Sequence, residues 1–435
     1  MYSWIHHLAL FISSTGNVGH NFGAVSTMLE YRADASTLSA SMCYAIGENN
    51  LTAIERCISC GADVDAADEE GQTAMHVAVY FNRAEVAQLL CRHGAQSRWR
   101  DSRGFTALMC AAEHGRDEIL ATLLQNGHGA AAAHHSSPLV GATPIMLACS
   151  VVGRQPGQLR VLRLLIAAGG SVRDASTVHG ESALHAAAYY NHLDAAALLL
   201  RRGAPVDDRT THGSTPLHCA AHQGNTDMAL LLVQHGAHPN HLTDHGNTPL
   251  HAAMHAGSAD CIAAIIRAGA DIHTRDMHGR ALIDYLAELP VAALRSVEDM
   301  VDINSMRDCF GNGLLHLAAR AHNHALTHSL CAAGAADPNH MNTVGDTPLH
   351  EAVREAYPDI VDVLVQGGAS IYISNARGVS ALDLSRQSCA GGQEKCSAFR
   401  ARRAFVAALL DVHDVEVNRV RSSIGGRLLP TAVCV

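Results

Sequence analysis

The chain has 435 residues, with Lys plus Arg 31 against Asp plus Glu 41, a formal net charge of −10, and no block of either sign. That balance excludes a nucleic-acid footprint, so no nucleic acid is expected among its partners. Apolar residues reach 48% but aromatics only 4%, so a core has to come from Ala, Leu, Val and Ile packed closely in helices.

In chain order, "WIHHLALFIS" is apolar but lacks a basic n-region and a small-residue cleavage site, so no signal peptide is expected. No run approaches the ~18 apolar residues of a membrane span, and no membrane insertion is expected. Residues 1–39 read as an N-terminal segment or a degenerate capping repeat. A motif then recurs: "TAMHVAVYFN" from Thr73, "TALMCAAEHG" from Thr106, "TPIMLACSVV" from Thr143, "SALHAAAYYN" from Ser182, "TPLHCAAHQG" from Thr215 and "TPLHAAMHAG" from Thr248. It continues from Ala281, Gly313, Thr347 and Ser380, with a weaker copy at Ala40, at intervals of 33, 33, 37, 39, 33, 33, 33, 32, 34 and 33 residues. In most copies a Gly follows 21 residues after the start, as at Gly61, Gly94, Gly127, Gly203, Gly236, Gly269, Gly334 and Gly368.

Each unit has a physical reading. Thr is an N-cap and Pro fits N1, where no amide donor is needed. Gly or Asn at the tenth position (Gly115, Gly224, Gly257, Asn82, Asn191) can take the left-handed conformation that ends a first helix. Stretches such as "AEVAQLLCRHG" and "TDMALLLVQHG" are apolar at i, i+3, i+4 and i+7 and predict a second helix, which the later Gly ends. About twelve residues then lead to the next cap, enough for an extended two-stranded turn. No helix pair can bury its apolar face alone, so the units must stack.

The departures lie in the middle and at the end. Insertions fall near 128–142 and 153–158, and Pro290 marks the degenerate copy that starts at Ala281. Residues 391–413 read as a C-terminal capping helix region, with Arg400, Arg402 and Arg403 suited to solvent, and 414–435 as a flexible tail.

This 33-residue unit with Thr-Pro-Leu-His resembles the ankyrin repeat family over roughly residues 40–390. The resemblance implies an all-α repeat solenoid of ten to eleven stacked helix-turn-helix units with β-hairpin fingers. It also implies a non-enzymatic scaffold that binds a partner protein on its concave groove and finger tips. In that family the fourth-position imidazole ties the turn to the neighbouring backbone, which assigns a structural role to His76, His185, His218, His251, His316 and His350. Where it is absent (Cys43, Met109, Met146, Asp284, Asp383), weaker tying is expected. First-helix ends face the groove, which nominates Tyr80, Phe81, Glu113, His114, Tyr189, Tyr190, His222, His255, Arg320 and Arg354 as partner-binding positions. Ankyrin fingers are also similar to substrates of an asparagine hydroxylase. Asn240 fits that role best, with Asn304 and Asn339 behind it.

His179, His212, His245 and His278 each lie three residues before a repeat start, at intervals of 33. Three readings stay open: an exposed variable position, a pH-sensitive part of the partner surface, or metal ligands. Layers roughly 8 to 10 Å apart disfavour a shared ion, whose donors stand ~2 Å from it. Cys57 and Cys60 have half a zinc spacing without a second pair, and Cys389 and Cys396 flank a glycine loop. His350-Glu351 is followed by Arg354 where a zinc protease has its second His, and no Walker loop, nucleophile elbow or kinase set occurs. No catalytic residue, metal or cofactor is therefore expected, and a metal-dependent or redox enzyme is the rival class.

Thirteen cysteines scattered through apolar stretches fit a reducing compartment, so a monomer in the cytoplasm or nucleus is expected. The tail "TAVCV" could add as a strand to a PDZ groove. The segment "VNRVRSSIGGRLLP" is similar to the end of a SOCS box, without that box's Leu-Cys-Arg core, which makes a ubiquitin-ligase substrate adaptor the alternative reading.

Overall fold

A computed structural model of the chain describes residues 35–128, 136–139, 141–150, 157–288, 305–334, 336–386, 404 and 406–415. The chain divides into two compact units, Met1–Asp244 and His245–Val435. In the first unit, helices run in pairs: α1 (Ala35–Gly47) and α2 (Leu51–Ser59), α3 (Ala74–Tyr80) and α4 (Ala84–Arg92), α5 (Ala107–Glu113) and α6 (Asp117–Leu123). There follow α7 (Pro144–Cys149) and α8 (Gln158–Ala167), α9 (Ala183–Tyr189) and α10 (Leu193–Arg201), α11 (Pro216–His222) and α12 (Thr226–Gln234). In the second unit the pairs are α13 (Pro249–Ala256) and α14 (Ala259–Arg267), α16 (Leu314–Arg320) and α17 (His324–Ala332), α18 (Pro348–Arg354) and α19 (Pro358–Gln366). Helix α15 (Leu282–Leu286) precedes α16, and α20 (Ala381–Arg386) is followed by α21 over 406–415.

The repeat start fixes each first helix. The hydroxyls of Thr106 and Thr143 accept from Met109 N–H and Met146 N–H at 3.3 and 3.4 Å, and Pro stands at N1 of α7, α11, α13 and α18. These caps satisfy an orphan donor and add roughly 1 kcal/mol each. At the tenth position Asn82 and Asn191 take φ of 56° and 57° and Gly257 67°, ending the helix in the left-handed region. His322 and Ala356 adopt the same conformation, at 56° and 57°. First helices pack on first helices of the next repeat and second on second, as α3 on α5 and α4 on α6, or α16 on α18 and α17 on α19. The core between them is aliphatic: Val86, Ala87 and Leu90 of α4 and Ile119, Leu120 and Leu123 of α6 are all fully buried.

The connectors form turns rather than strands among the described residues, with isolated antiparallel bridges at Arg100–Thr106, Ala175–Ser182 and Ser374–Ser380. An Asp or Asn three residues before the finger Gly builds many of these turns. Asp101 Oδ1 accepts from Arg103 N–H at 3.0 Å and Phe105 N–H at 2.7 Å. Asp276, Asp308, Asn342 and Asn375 repeat the pattern on His278 and Arg280, Phe310 and Asn312, Val344 and Asp346, and Arg377 and Val379. Adjacent fingers are joined by a single backbone bond: Ser102 N–H to Glu70 O at 2.7 Å, Thr211 to His179 at 2.9 Å, and Asp244 to His212 at 3.0 Å. In the second unit Thr343 bonds Phe310 at 3.0 Å and Ala376 bonds Val344 at 3.1 Å.

This joint sets a prediction for two finger glycines. Gly345 has φ +80°, and a Cβ there would stand 2.6 Å from Ala376 N, whereas Gly378 has φ +73° and nothing within 4 Å. Gly378→Ala is expected to cost only the left-handed strain, about 1–2 kcal/mol. Gly345→Ala adds a clash with the backbone of the next finger, and urea melts of the two variants should separate by a further ~1 kcal/mol or more.

Helix α21 closes the second unit. Val406 and Leu410 are fully buried, and Tyr372 Oη–H donates to Asp414 at 2.6 Å. Arg386 pairs with Asp411 and lies 3.6 Å from Asp414. Residues 1–34, most of both insertions, Pro290, Asn304, Cys389, Cys396, Arg400, Arg402, Arg403 and residues 416–435 lie outside the described residues.

Candidate functional site: groove-end residues on histidine-tied repeats

The fourth-position histidines are buried and hydrogen-bonded. Thr73 N–H donates to His76 Nδ1 at 3.3 Å, and the Thr73 hydroxyl is 2.9 Å from the same nitrogen. Ser182 N–H and His185, Thr215 and His218, Thr248 and His251, and Thr347 and His350 repeat this at 3.1 Å each. An Nδ1 that receives an amide proton carries none itself, so the proton of the neutral ring sits on Nε2. That Nε2–H reaches the next repeat: His76 bonds Phe105 O at 3.2 Å, His185 Ser214 O at 3.0 Å, His316 Asp346 O at 3.0 Å and His350 Val379 O at 3.1 Å. The geometry requires a neutral ring. Burial lowers the pKa of His76 and His251 and pushes His185 and His316 down to about 4.

The repeat starting at Ala281 breaks this pattern. His251 Nε2 is buried without a hydrogen-bond partner; the carbonyls of Arg280 and Thr274 pull its pKa upward without completing a bond. Asp284, in the histidine position, accepts from Ala281 N–H at 2.8 Å. A carboxylate has no proton to donate onward at neutral pH. Asp383 likewise accepts from Ser380, through the hydroxyl at 2.6 Å and the amide at 3.2 Å.

Several first-helix ends are exposed. In the first unit Tyr80 is 44% exposed; its ring meets Phe81 edge-on at 5.1 Å and His114 of the next repeat at 6.3 Å. Tyr189 and Tyr190 are 45% and 36% exposed and form a second edge-on pair at 5.1 Å. His222 is exposed. Glu113, beside His114, pairs with Arg103 at 3.2 Å, and Arg103 lies over the Phe105 ring at 4.4 Å.

In the second unit the same positions are engaged. Exposed His255 has Nε2 3.0 Å from Tyr285 Oη, and Tyr285 Oη–H donates to the buried Asp276 carboxylate at 2.9 Å. The hydroxyl proton is thereby committed to Asp276, so His255 Nε2–H is the donor to Tyr285. Arg280 covers the Tyr285 ring at 4.5 Å and bonds Asp276 at 3.1 Å. Burial opposes ionisation of Asp276, but donors from Arg280, Tyr285 and His278 overcome it and hold its pKa at about 2. Arg320 lies 3.8 Å from buried Asp308. Arg354 is bonded to buried Asp346 at 2.5 Å and Glu351 at 2.9 Å. Asn312, Asn342 and Asn375 extend that chain with side-chain bonds of 2.8 Å each, to Asp308, Asn312 and Asp346.

His179, His212, His245 and His278 are all exposed. Their main chains are structural: the carbonyls of His179 and His212 accept the finger bonds above, and His278 N–H donates to Asp276. Asn240 is half-buried, its N–H donating to His238 Nδ1 at 3.2 Å. Asn339 differs, bridging to the next finger through Gly368 O at 3.2 Å and Ser370 N–H at 2.7 Å.

Sequence reading missed a second set of ties. The residue before several second helices reaches back to the end of an earlier first helix: Arg83 to Gly47 O at 2.8 Å, Asn225 to Ala188 O at 3.1 Å and Asn323 to Ala287 O at 3.0 Å. After the second insertion Gln158 takes this place, bonding Ala112 O at 3.3 Å and Ala148 O at 2.5 Å. A polar residue directly before most second helices, and Gln158 at the first position of α8, was the signal available. Among the described residues no group of three or more His, Cys, Asp or Glu side chains converges for a metal. Burial pushes the thiols of Cys110, Cys149 and Cys219 up to about 12, far from the thiolate a nucleophile needs. No described helix is long and apolar enough to cross a membrane.

Comparison with known proteins places this geometry. The chain is 35% identical over 77 residues to the rice (Oryza sativa subsp. japonica) potassium channel AKT1, covering 18% of this chain and 8% of that protein. It is 32% identical over 139 residues to human neurogenic locus notch homolog protein 1, covering 32% of this chain and 5% of that protein. It therefore spans less than a tenth of either relative's length. The human ASB11 ankyrin repeat domain aligns with a TM-score of 0.47 at 24% identity, over 53% of this chain and 98% of that domain. The family model for ankyrin repeats (3 copies) matches residues 42–134, 128–210, 204–276 and 282–375, and this chain belongs to the ankyrin repeat family.

Proposed function

We propose that the chain holds a partner protein on exposed first-helix ends, with the finger positions His179, His212, His245 and His278 as further contacts. Ankyrin repeats are protein–protein interaction modules in general, and rigid stacks of this kind spread contacts over several repeats. The observation that carries the proposal is the exposure of Tyr80, beside half-buried Phe81 and His114, and of the Tyr189–Tyr190 pair. In a chain with 9 Tyr, 7 Phe and 2 Trp, two such pairs at equivalent positions supply the amphipathic anchors that dominate interfaces. His222 belongs to the same surface in the first unit. In the second, Arg320 and Arg354 offer pre-oriented donors, because their carboxylate partners already hold them in place, and His255 offers a ring held by Tyr285.

The test is proximity labelling with wild-type protein and with the Tyr189→Ala, Tyr190→Ala double variant. Both side chains are a third or more exposed, so the melting temperature is expected to stay within about 2 °C while one or more captured proteins are lost. An unchanged set of captured proteins would sink the choice of anchors.

A non-enzymatic monomer in the cytoplasm or nucleus, with neither cofactor nor catalytic residue, fits this role. Hydroxylation of Asn240 is part of the same proposal. The ubiquitin-ligase adaptor is the second reading. It rests on the segment of residues 417–430, and absence of cullin-scaffold components from purified complexes would remove it.

A further inference from the structure

Two imidazoles on the second helix of the repeat that starts at Gly313 stand apart from the other histidines. His324 and His328 are four residues apart in α17 and both exposed, and that spacing places them on one face of the helix. Their rings stack with centroids 6.4 Å apart and 18° between planes.

In the other close histidine pairs, ring nitrogens are already occupied. His238 Nδ1 accepts from Asn240 N–H, and His241 Nε2 lies 3.5 Å from the Asp207 carboxylate. His316 Nε2 is bonded to Asp346 O, and His340 Nε2 accepts from Arg307 at 2.9 Å. Neighbouring His322 is bonded to Asp359 at 2.9 Å and stacked on Tyr357 at 4.2 Å. Among the described residues, the only side-chain interaction of His324 and His328 is with each other.

With a metal–nitrogen distance of about 2.0–2.1 Å and a ring radius of roughly 1.1 Å, two imidazoles on one ion have centroids at most ~6.4 Å apart, and ~5.2 Å apart at the tetrahedral angle. The observed separation exceeds the tetrahedral value by about 1 Å. Closing it by about 1 Å takes only side-chain torsions of exposed residues, with the helix backbone unmoved. We propose that His324 and His328 form a two-histidine site for a divalent cation of the zinc class. No group of three or more ligands converges among the described residues, so water completes the coordination shell and the site is open and reversible. Both rings must be neutral to bind, so protons compete with the metal. The positive end of the α17 dipole lies beside His324 and moderates the affinity. Because the paired geometry exists only in the helix, the metal stabilises the folded state by linkage.

Isothermal titration of untagged, metal-stripped full-length chain with Zn2+ tests this. The expected result is a site of one ion per chain that weakens at least tenfold in His324→Ala and equally in His328→Ala, and stays intact in His241→Ala. Added Zn2+ should raise the melting temperature of wild type and His241→Ala but of neither His324→Ala nor His328→Ala, and all four proteins should melt alike without metal. The proposal is overturned if wild type binds no Zn2+, or if either variant binds it as wild type does. An adventitious ion only, weakened as much by His241→Ala as by the paired variants, overturns it too.

Discussion

Acidification from about pH 7 to about pH 4 is expected to destabilise both units, with the loss beginning above the ordinary carboxylate range. His185 in the first unit and His316 in the second have folded-state pKa values near 4 against an ordinary 6.5, and His76 and His251 shift the same way. The folded state binds fewer protons than the unfolded one, so the contribution is complete above pH ~6.5 and is lost as pH falls towards the folded pKa. At ~1.4 kcal/mol per unit, His185 and His316 each account for about 3 kcal/mol of that loss. The main cause is burial, which penalises the charged ring; protonating Nδ1 also removes the acceptor that holds the amide of Ser182. Asp276, held at about 2, gives up its share only below pH ~4. Asp208 and Asp284, raised by burial, act in the opposite sense by favouring the folded state as they protonate. Urea melts at half-unit pH steps should therefore show the main loss between pH 6.5 and 4. A flat profile over that window would contradict neutral buried struts.

His185→Ala is expected to cost 3–5 kcal/mol in urea unfolding. The imidazole serves Ser182 N–H, the Ser182 hydroxyl and Ser214 O. Its loss strands buried groups at ~1–3 kcal/mol each and leaves a cavity behind them. His179→Ala, six residues earlier and exposed, removes a side chain while leaving the carbonyl that bonds Thr211, so a change within about 0.5 kcal/mol is expected. The two substitutions delete the same atoms, so the difference between them reads the environment alone. Equal effects would mean that the motif histidine is not what joins these repeats.

The helical framework was legible because its signals are local. Thr before Pro, Gly or Asn at the tenth position and the later Gly act within a single turn, and the caps at Thr106 and Thr143 are those a sequence reader expects. Connections that depend on which side chains of two repeats meet were not legible. The aspartates and asparagines of the fingers recur three residues before a Gly, and that signal was present but unused. Tyr285 could not have been foreseen as the partner of His255, since one lies in a degenerate copy and the pairing depends on Asp276 taking the phenol proton. Arg320 and Arg354 read as free anchors in sequence but turn out to be bound to buried Asp308 and Asp346. The extended finger reads as two strands by length, yet its described backbone closes mainly through Asp and Asn side chains, which compete with a ladder for the same amides.

The histidine pair His251 and His255 shows why spacing alone misleads. One ring is buried against its own turn at Thr248, and the other is exposed and bonded to Tyr285. The central claim is that these are two classes of histidine, one joining repeats as a neutral strut and one available to partners. Long-range proton–nitrogen NMR of the imidazoles, titrated from pH 7.5 to 4.5, tests it most directly. The account predicts that His185 and His316 remain neutral with the proton on Nε2 at pH 5.5. Finding either of them as an imidazolium there, or with the proton on Nδ1, would contradict it.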